Sequence, residues 1–235
     1  MPVPPRRGRI TPEQYYSRHS PLLGEECLQR LGRSALAVVG LGGLGCAAST
    51  SLVRIGVGKL FVIDSDRVEP SNLNRQFLYT PEDIGRSKVE AACEHLRAMN
   101  PLVEVVPWQG RVGEQGFSLP PGIEGVVDCL DNFRSRYALE ELVRQAGVFM
   151  VHGGVMGQFG QLTTIIPGRT PSLRQLFPSM EEVIHRHVLP QAATIVGTLQ
   201  AWEAVRQLCG LEGALHGKIL SVDLLNNEMR TISLG

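Results

Sequence analysis

The feature that most constrains the fold is a glycine-rich turn between two apolar runs. The first run, 36–39, leads into Gly-Leu-Gly-Gly-Leu-Gly at 40–45, and a segment of small residues follows. The second run, 60–63, ends at Asp64. A strand, a tight turn, a helix, a second strand and an acid in this order are typical of the nucleotide-binding fingerprint. The stretch therefore predicts the start of a Rossmann-like sheet that binds a nucleotide.

The glycines of the turn have distinct predicted roles. Gly40 permits a sharp turn, Gly42 lets the backbone approach a phosphate, and Gly45 lets the helix pack closely on the strand. Gly43, beside them, is counted with the nucleotide-binding residues. The phosphates are expected on the free N–H groups of the helix N-terminus. Asp64 is expected to accept hydrogen bonds from a ribose hydroxyl.

Strand and helix signals alternate along the chain as far as residue 147. A helix is predicted from about residue 86, and further strands are predicted at 103–106 and 125–130. This alternation indicates a parallel sheet with helices on both faces.

Beyond residue 147 the pattern predicts antiparallel pairing. Strands at 148–151 and 161–166 are joined by a glycine-rich link, 153–157, which leaves no room for a crossover helix. The later segments are a long irregular loop at 167–191 with four prolines, a helix at 194–208, and short strands at 218–222 and 228–232. The predicted fold is therefore α/β: a Rossmann-like, doubly wound, mostly parallel sheet with C-terminal antiparallel strands.

Length and composition bound the functional classes. A chain of 235 residues fits a single domain, 1–235, with 1–14 as a flexible N-terminal arm rich in proline and arginine. The net charge is zero, which makes a nucleic-acid partner unexpected. An uncharged stretch at 34–53 has the length of a membrane span, but its clustered glycines favour a buried strand, turn and helix, so no membrane contact is expected. Five scattered cysteines without a C-x-x-C pair predict no disulfide framework and favour a reducing cytoplasm.

Polar side chains cluster where the predicted strands and the loops after them end, which is where open α/β sheets bind ligands. They are Asp64, Asp66, Asn72, Arg75, Gln76, Lys88 and Asp131. Arg75 and Lys88 can neutralise charge on a triphosphate, and Asp131 can hold a Mg²⁺ ion that bridges phosphate oxygens. Taken singly, each residue also has a structural explanation. Lys88 is then a solvated surface lysine, Arg75 a loop arginine, and Asp131 the N-cap of the helix that follows it.

Four motifs together resemble a known family. They are G-L-G-G-L-G at 40–45, D-S-D-x-V-x-x-S-N-L-N-R-Q at 64–76, G-R-S-K-V at 85–89 and D-C-L-D-N-F at 128–133. The chain is similar over almost its whole length to the E1-like adenylyltransferases of the ThiF/MoeB/HesA group. The resemblance implies an E1-like adenylation domain with 167–191 as its crossover loop. The implied activity is ATP-dependent adenylylation of the C-terminal glycine of a ubiquitin-like protein, usually a sulfur carrier that ends in Gly-Gly.

The resemblance also implies a role for each site residue. Gly42 and its neighbours line the nucleotide, Asp64 binds the ribose, and Asp131 is the metal-binding acid. The remaining polar residues surround the phosphates: Asn72, Arg75, Gln76 and Lys88. The family forms homodimers, and Arg18, in a Tyr-Ser-Arg motif, matches an arginine that reaches the ATP of the neighbouring subunit. The stretch 153–160 is expected to flank the channel for the carrier's tail.

The chain departs from the family pattern in its cysteines. Where family members often have the first of two zinc-binding C-x-x-C pairs, Ser172 and Gln175 stand, and no cysteine follows Cys209. We therefore expect no zinc. Some members of the family carry a cysteine in the crossover loop that takes the carrier as a thioester or persulfide. This chain has no cysteine between Cys129 and Cys209, so the resemblance implies chemistry that stops at the acyl-adenylate. His185 and His187 are expected to be solvated, because two histidines without further ligands make a poor metal site.

Three alternatives stay open at the level of sequence. An NAD(P)-dependent oxidoreductase uses the same fingerprint, because a fold does not fix a function. A related enzyme could activate a tRNA base or a peptide amide, although zero net charge weighs against tRNA. A scaffold protein with a retained fold is the third, and the full set of polar positions argues against it.

Overall fold

The computed structural model describes residues 10–178, 180 and 187–234, which form one mixed sheet with helices on both faces. The strands are β1 (Ala35–Val39), β2 (Lys59–Asp64), β3 (Glu104–Gln109), β4 (Gly125–Asp128), β5 (Phe149–Met156), β6 (Phe159–Ile165), β7 (Lys218–Asp223) and β8 (Glu228–Ser233). The α-helices are α1 (Pro12–Tyr16), α2 (Ser20–Arg33), α3 (Gly43–Ile55), α4 (Lys88–Met99), α5 (Phe133–Ala146), α6 (Leu173–Leu176) and α7 (Pro190–Cys209). Short 3₁₀ helices lie at Pro70–Asn72 and Pro81–Asp83.

The strand order across the sheet is β3-β2-β1-β4-β5-β6-β7-β8. Strands β1 to β5 pair in parallel, whereas β5, β6, β7 and β8 pair antiparallel. The predicted fold class is therefore confirmed. Because β1 pairs with β2 on one side and with β4 on the other, the chain turns back at β1 and leaves a crevice at the carboxyl ends of β1 and β4.

Alternating side chains of the central strands fill two cores. Leu36 and Val38 belong to the core beneath α3, α4 and α7, and Ala37 and Val39 belong to the core beneath α5. Burial on both faces explains why the stretch 34–53 carries no charge. It forms a strand, a turn and a helix, and none of the helices in the described ranges is long and apolar enough to cross a membrane.

The structure corrects the predicted N-terminal arm. Helix α1 begins at Pro12, so the prediction of a flexible arm is wrong for 12–14. Thr11 forms a capping box, in which its Oγ accepts from Gln14 N at 3.3 Å and its N–H donates to Gln14 Oε1 at 3.1 Å. Proline at the first position of a helix costs no hydrogen bond, because that N–H would have no partner. Residues 1–9 lie outside the described ranges.

The hairpin of β5 and β6 is antiparallel as predicted, but its glycines are not a link. Gly153 and Gly154 lie inside β5, and the chain turns at Gly157, with φ 59°. A Cβ atom on Gly153 would lie 2.2 Å from the amide carbon of Gln200. Glycine is therefore needed there because a buried side chain of α7 crosses the strand, a contact that local sequence does not show.

The loop at 167–191 is less irregular than predicted. It contains α6, and α7 begins at Pro190, four residues before the predicted start. Residues 179 and 181–186 lie outside the described ranges.

A disulfide joins Cys27 of α2 to Cys209 at the end of α7. Their Cα atoms are 5.3 Å apart although 182 residues separate them in sequence. The sequence analysis predicted no disulfide framework and did not foresee this single bond, because the packing of α2 on α7 brings together positions whose spacing carries no signal. Cys46, Cys93 and Cys129 are free and buried.

Candidate active site

A pocket of about 310 Å³ opens at the carboxyl ends of the parallel strands, over the turn between β1 and α3. Most of the predicted site residues line it together: Gly40, Gly42, Gly43, Asp64, Asp66, Asn72, Arg75, Gln76, Lys88 and Asp131. Two predicted residues, Gly45 and Arg18, are not in the lining.

The glycine turn is shaped by two close approaches. Gly40 has φ 93°, and a Cβ atom on it would meet the backbone oxygen of Cys129 at 2.6 Å. Gly45 lies beneath the turn, where a Cβ atom would stand 1.9 Å from the oxygen of Gly40. Gly42 caps α3 without a side-chain hydrogen bond, so the first N–H groups of the helix are available to an anion.

Asp64 is already tied to the turn. Its Oδ2 accepts from the N–H of Leu41 at 2.6 Å, and its Oδ1 accepts from the N–H of Asp66 at 2.8 Å. These bonds fix the rotamer of the carboxylate at the end of β2. A carboxylate has about four acceptor sites, so it can also accept from a ligand hydroxyl.

Lys88 is not the solvated lysine of the structural explanation. Its side chain is only 7% exposed, and its Nζ lies 3.2 Å from Asp66 Oδ2. A buried ammonium beside the glycine turn provides a positive charge that water screens weakly. Arg75 is half-buried and donates through Nη1 to Ser71 O at 2.9 Å and to Asn74 Oδ1 at 3.0 Å.

Asp131 is not the helix cap either. Asn132 caps α5, with its Oδ1 accepting from the N–H of Ser135 at 2.9 Å. Asp131 is exposed at the pocket, and its Oδ1 accepts from Asn132 Nδ2 at 3.1 Å. The neighbouring cap therefore leaves Asp131 available to a ligand.

The donor set fits a Mg²⁺ ion that arrives with a nucleotide. No cluster of three or more His, Cys, Asp or Glu side chains in the described part of the chain could hold a metal alone. Mg²⁺ is commonly bound by one or two carboxylates together with substrate phosphates and water. A single exposed carboxylate, that of Asp131, beside a glycine turn whose N–H groups are available to an anion meets this requirement.

The pocket also contains three residues that the sequence analysis missed, Arg111, Ser135 and Arg136. His187 lies at the pocket too, and it is exposed, as expected. Arg111 follows β3, which runs three residues beyond its predicted end at 106, so it stands at the same sheet edge as Asp64. A longer predicted strand would have placed it there. His185 lies outside the described residues.

Arg18 is exposed in the link between α1 and α2, at the opposite end of the sheet from the pocket. Tyr16 packs on Gly56, which caps the C-terminal end of α3, and Tyr15 donates its O–H to Met99 O at 2.8 Å. Helix α3 has 13 residues, which corresponds to about 20 Å between this end and the nucleotide turn.

Two free thiols near the pocket are buried, as expected for core cysteines. Burial raises the pKa of Cys46 to about 12 and raises the pKa of Cys129 well above its usual value. Thiols with a raised pKa hold their proton and are poor nucleophiles.

A family model described as the ThiF family matches residues 16–235. The chain belongs to the ThiF family. The resemblance seen in the sequence motifs is therefore confirmed, and it covers nearly all of this ThiF-family chain.

Curated relatives of this ThiF-family chain carry related names. The SAMP-activating enzyme E1 of Haloferax volcanii is 38% identical over 229 residues, covering 92% of this chain and 83% of that protein. The sulfur carrier protein adenylyltransferase of Thermus thermophilus is 35% identical over 226 residues, covering 91% of this chain and 83% of that protein. The adenylyltransferase and sulfurtransferase MOCS3 of Bos taurus is 35% identical, and the match covers 99% of this chain but 53% of that longer protein.

Solved structures agree on the fold. Escherichia coli MccB solved with succinimide aligns with a TM-score of 0.83 at 18% identity, over 99% of this chain and 74% of that chain. PaaA aligns with a TM-score of 0.77 at 19% identity, over 100% of this chain and 78% of that chain. At these identities the likeness concerns the fold alone.

Proposed function

We propose that this ThiF-family chain is an adenylyltransferase that uses ATP to activate the C-terminal glycine of a ubiquitin-like sulfur carrier ending in Gly-Gly. The observation that carries the proposal is the buried Lys88 beside an uncapped helix N-terminus and an exposed Asp131, all in one pocket. The names of two relatives that are each matched over 83% of their own length, a SAMP-activating enzyme and a sulfur carrier adenylyltransferase, support the same chemistry.

The charged and polar groups of the pocket have separate roles in the proposed reaction. The N–H groups at the start of α3 bind the phosphates, and Asp64 accepts from the ribose. The carrier's carboxylate attacks the α-phosphorus, pyrophosphate leaves, and an acyl-adenylate remains. Negative charge grows on the phosphate oxygens as this happens, and Arg75 and Lys88 stabilise it. Asn72 and Gln76 complete the polar wall around the phosphates. Bound at Asp131, Mg²⁺ would neutralise part of the phosphate charge.

Arg18 contributes from a neighbouring subunit in this proposal. An arginine side chain spans well under the roughly 20 Å length of α3, so Arg18 cannot serve the pocket of its own chain. Its exposure at the far end of the sheet suits a contact across a homodimer. There it would offer a permanently charged planar fork to the α-phosphate.

The carrier's tail would approach between the β5–β6 turn and the segment before α7. Gly157 N donates to His187 O at 2.9 Å, and Leu189 N donates to Gly157 O at 2.9 Å. Val155 and Val188 line the pocket on this side. A slender glycine tail fits such an entrance better than a bulky side chain does.

The proposed reaction ends at the acyl-adenylate and needs no zinc. Ser172 Oγ accepts from the N–H of Gln175 at 3.2 Å, and Gln175 Oε1 accepts from the N–H of Ser172 at 2.8 Å. The two positions thus form a capping box for α6 where other family members have a cysteine pair. The cytoplasmic location remains a prediction from the sequence; the Cys27–Cys209 disulfide weighs against its argument from cysteine usage, and cell fractionation tests it.

The test is ATP–pyrophosphate exchange with a panel of small carriers ending in Gly-Gly. We expect exchange that needs both Mg²⁺ and a carrier. Exchange driven by a short peptide or by tRNA, with every carrier inert, would refute the choice of substrate. Tight NADH binding without ATP binding would refute adenylylation altogether.

A further inference from the structure

We infer that His152 is a positioning residue, which acts through Asp128 to hold the turn that presents Asp131 to the metal–nucleotide complex. The inference rests on the proposed function, because it assigns a supporting residue to the same site. It concerns a buried polar cluster beneath α5, made of Asp128, His152 and Arg136, that the sequence analysis did not identify as functional.

The cluster holds Leu130, the residue directly before Asp131. Asp128 Oδ1 accepts from the N–H of Leu130 at 3.1 Å, and Arg136 Nη2 donates to the oxygen of Leu130 at 2.5 Å. Arg136 Nη2 also donates to Gly153 O at 3.0 Å, which ties the turn to β5. Both backbone polar groups of Leu130 are therefore fixed by side chains of the cluster, and Asn132 Nδ2 donates to Asp131 Oδ1 itself.

His152 in turn holds Asp128. The two residues are direct partners on the parallel strands β4 and β5, so their side chains lie on one face. His152 Nδ1 lies 2.7 Å from Asp128 Oδ2, and both side chains are fully buried. A cation, the guanidinium of Arg136, lies farther away, with its Nε 3.8 Å from the same oxygen. A carboxylate oxygen is an acceptor, so this contact assigns the ring proton to Nδ1.

Packing alone does not explain a histidine at this buried position. His152 lies between the rings of Phe133 and Phe177, with centroids 6.2 and 5.5 Å away. Its Nε2 is buried and has no hydrogen-bond partner among the described residues. Burial also lowers the pKa of His152, so the ring is neutral at pH 7. An apolar side chain would fill this space without an unpaired nitrogen, so the contact that distinguishes histidine here is the one to Asp128.

The test compares two substitutions of His152 whose side-chain amides mimic different nitrogens of the imidazole ring. In His152→Asn the amide nitrogen takes the place of Nδ1 and can still donate to Asp128. In His152→Gln the amide reaches the place of Nε2 instead and leaves Asp128 without that donor. ATP binding is measured by calorimetry with Mg²⁺ and again with EDTA, and a thermal melt monitors folding. This assay needs no carrier and no turnover.

We expect His152→Asn to bind ATP with Mg²⁺ as the wild type does, and His152→Gln to lose about tenfold or more of the Mg²⁺-dependent affinity. Binding in EDTA should stay unchanged in both variants. The inference is overturned if both variants match the wild type, if both lose affinity equally with and without Mg²⁺, or if neither folds. A wild-type chain that binds no ATP at all would instead refute the proposed function.

A second measurement needs no variant. Nitrogen-15 NMR of the wild-type histidines should show one neutral ring that carries its proton on Nδ1 and exchanges it slowly with water. A His152 ring protonated on Nε2 would overturn the inference, because it could not donate to Asp128.

Discussion

Substituting Gly45 by alanine should displace the glycine turn between β1 and α3, because the new methyl group would collide with the backbone of Gly40. The added Cβ atom would lie 1.9 Å from Gly40 O and 2.9 Å from Gly40 C, whereas real Cβ atoms essentially never come within 3.0 Å of such a neighbour. The neighbour is backbone and cannot rotate away. The turn must therefore move by about 1 Å relative to α3, and an overpacked contact of this kind costs about 1–3 kcal/mol.

Two consequences follow, one for stability and one for binding. For a domain of this size, 1–3 kcal/mol corresponds to a fall in Tm of about 2–12 °C. A displacement of about 1 Å in a group that positions a substrate can cost about a hundredfold in rate. We expect Gly45→Ala to lower Tm by this amount and, because about 1.4 kcal/mol is tenfold in a binding constant, to weaken ATP binding by about one to two orders of magnitude.

The matched control is Gly32→Ala in α2, where a Cβ atom would meet nothing within 4 Å. Because alanine is favoured over glycine in helices by about 1 kcal/mol, this variant should be at least as stable as the wild type and should bind ATP normally. Calorimetric titration and a thermal melt of both variants decide the matter. Equal affinity and equal Tm for the two variants would refute the role given to the close approach of α3.

Further predictions concern single residues. Asp131→Asn should lower exchange by about a hundredfold or more, and because Asp131 is exposed its Tm should change by no more than about 2 °C; near-normal exchange would remove Asp131 from the mechanism. Arg18→Ala and Asp131→Asn chains, each inactive alone, should regain activity when they are combined in one mixed dimer. No recovery would mean that Arg18 does not act on the site of the neighbouring subunit. Reducing the Cys27–Cys209 disulfide should destabilise the fold by about 2–5 kcal/mol; an unchanged Tm with and without reductant would contradict the bond. Elemental analysis should find no stoichiometric zinc. One zinc per chain would contradict the inference that Ser172, in place of a cysteine, removes the zinc site.

The sequence was most informative where function depends on local chemistry. The glycine turn, Asp64 and the segment around Arg75 are short stretches whose residue types directly reflect a backbone conformation or a charge. Parallel strands place their carboxyl ends at one edge, so Lys88 and Asp131 could be assigned to the same pocket from the strand and loop pattern together with the family motifs.

Tertiary contacts account for what the sequence missed. Gly153 looked like part of a linker because Gln200, which crosses β5, comes from a distant helix. His152 received no role in the sequence analysis, because its partner Asp128 is defined by the pairing of β4 with β5. The Cys27–Cys209 contact likewise depends on how two helices pack. In each case the deciding neighbour is far away in sequence, and local patterns carry no record of it.

The central claim is that this pocket joins AMP to the C-terminal carboxylate of a carrier. The most direct measurement is mass spectrometry of a carrier ending in Gly-Gly after incubation with the enzyme, ATP and Mg²⁺, with pyrophosphatase present. The account predicts a carrier that gains one adenylyl group, and no gain when the carrier's C-terminus is amidated or the enzyme carries Asp131→Asn. Two results would contradict the account. One is an unmodified carrier under conditions where the enzyme binds ATP and the carrier together. The other is an adduct that still forms when the carrier's C-terminus is amidated beforehand.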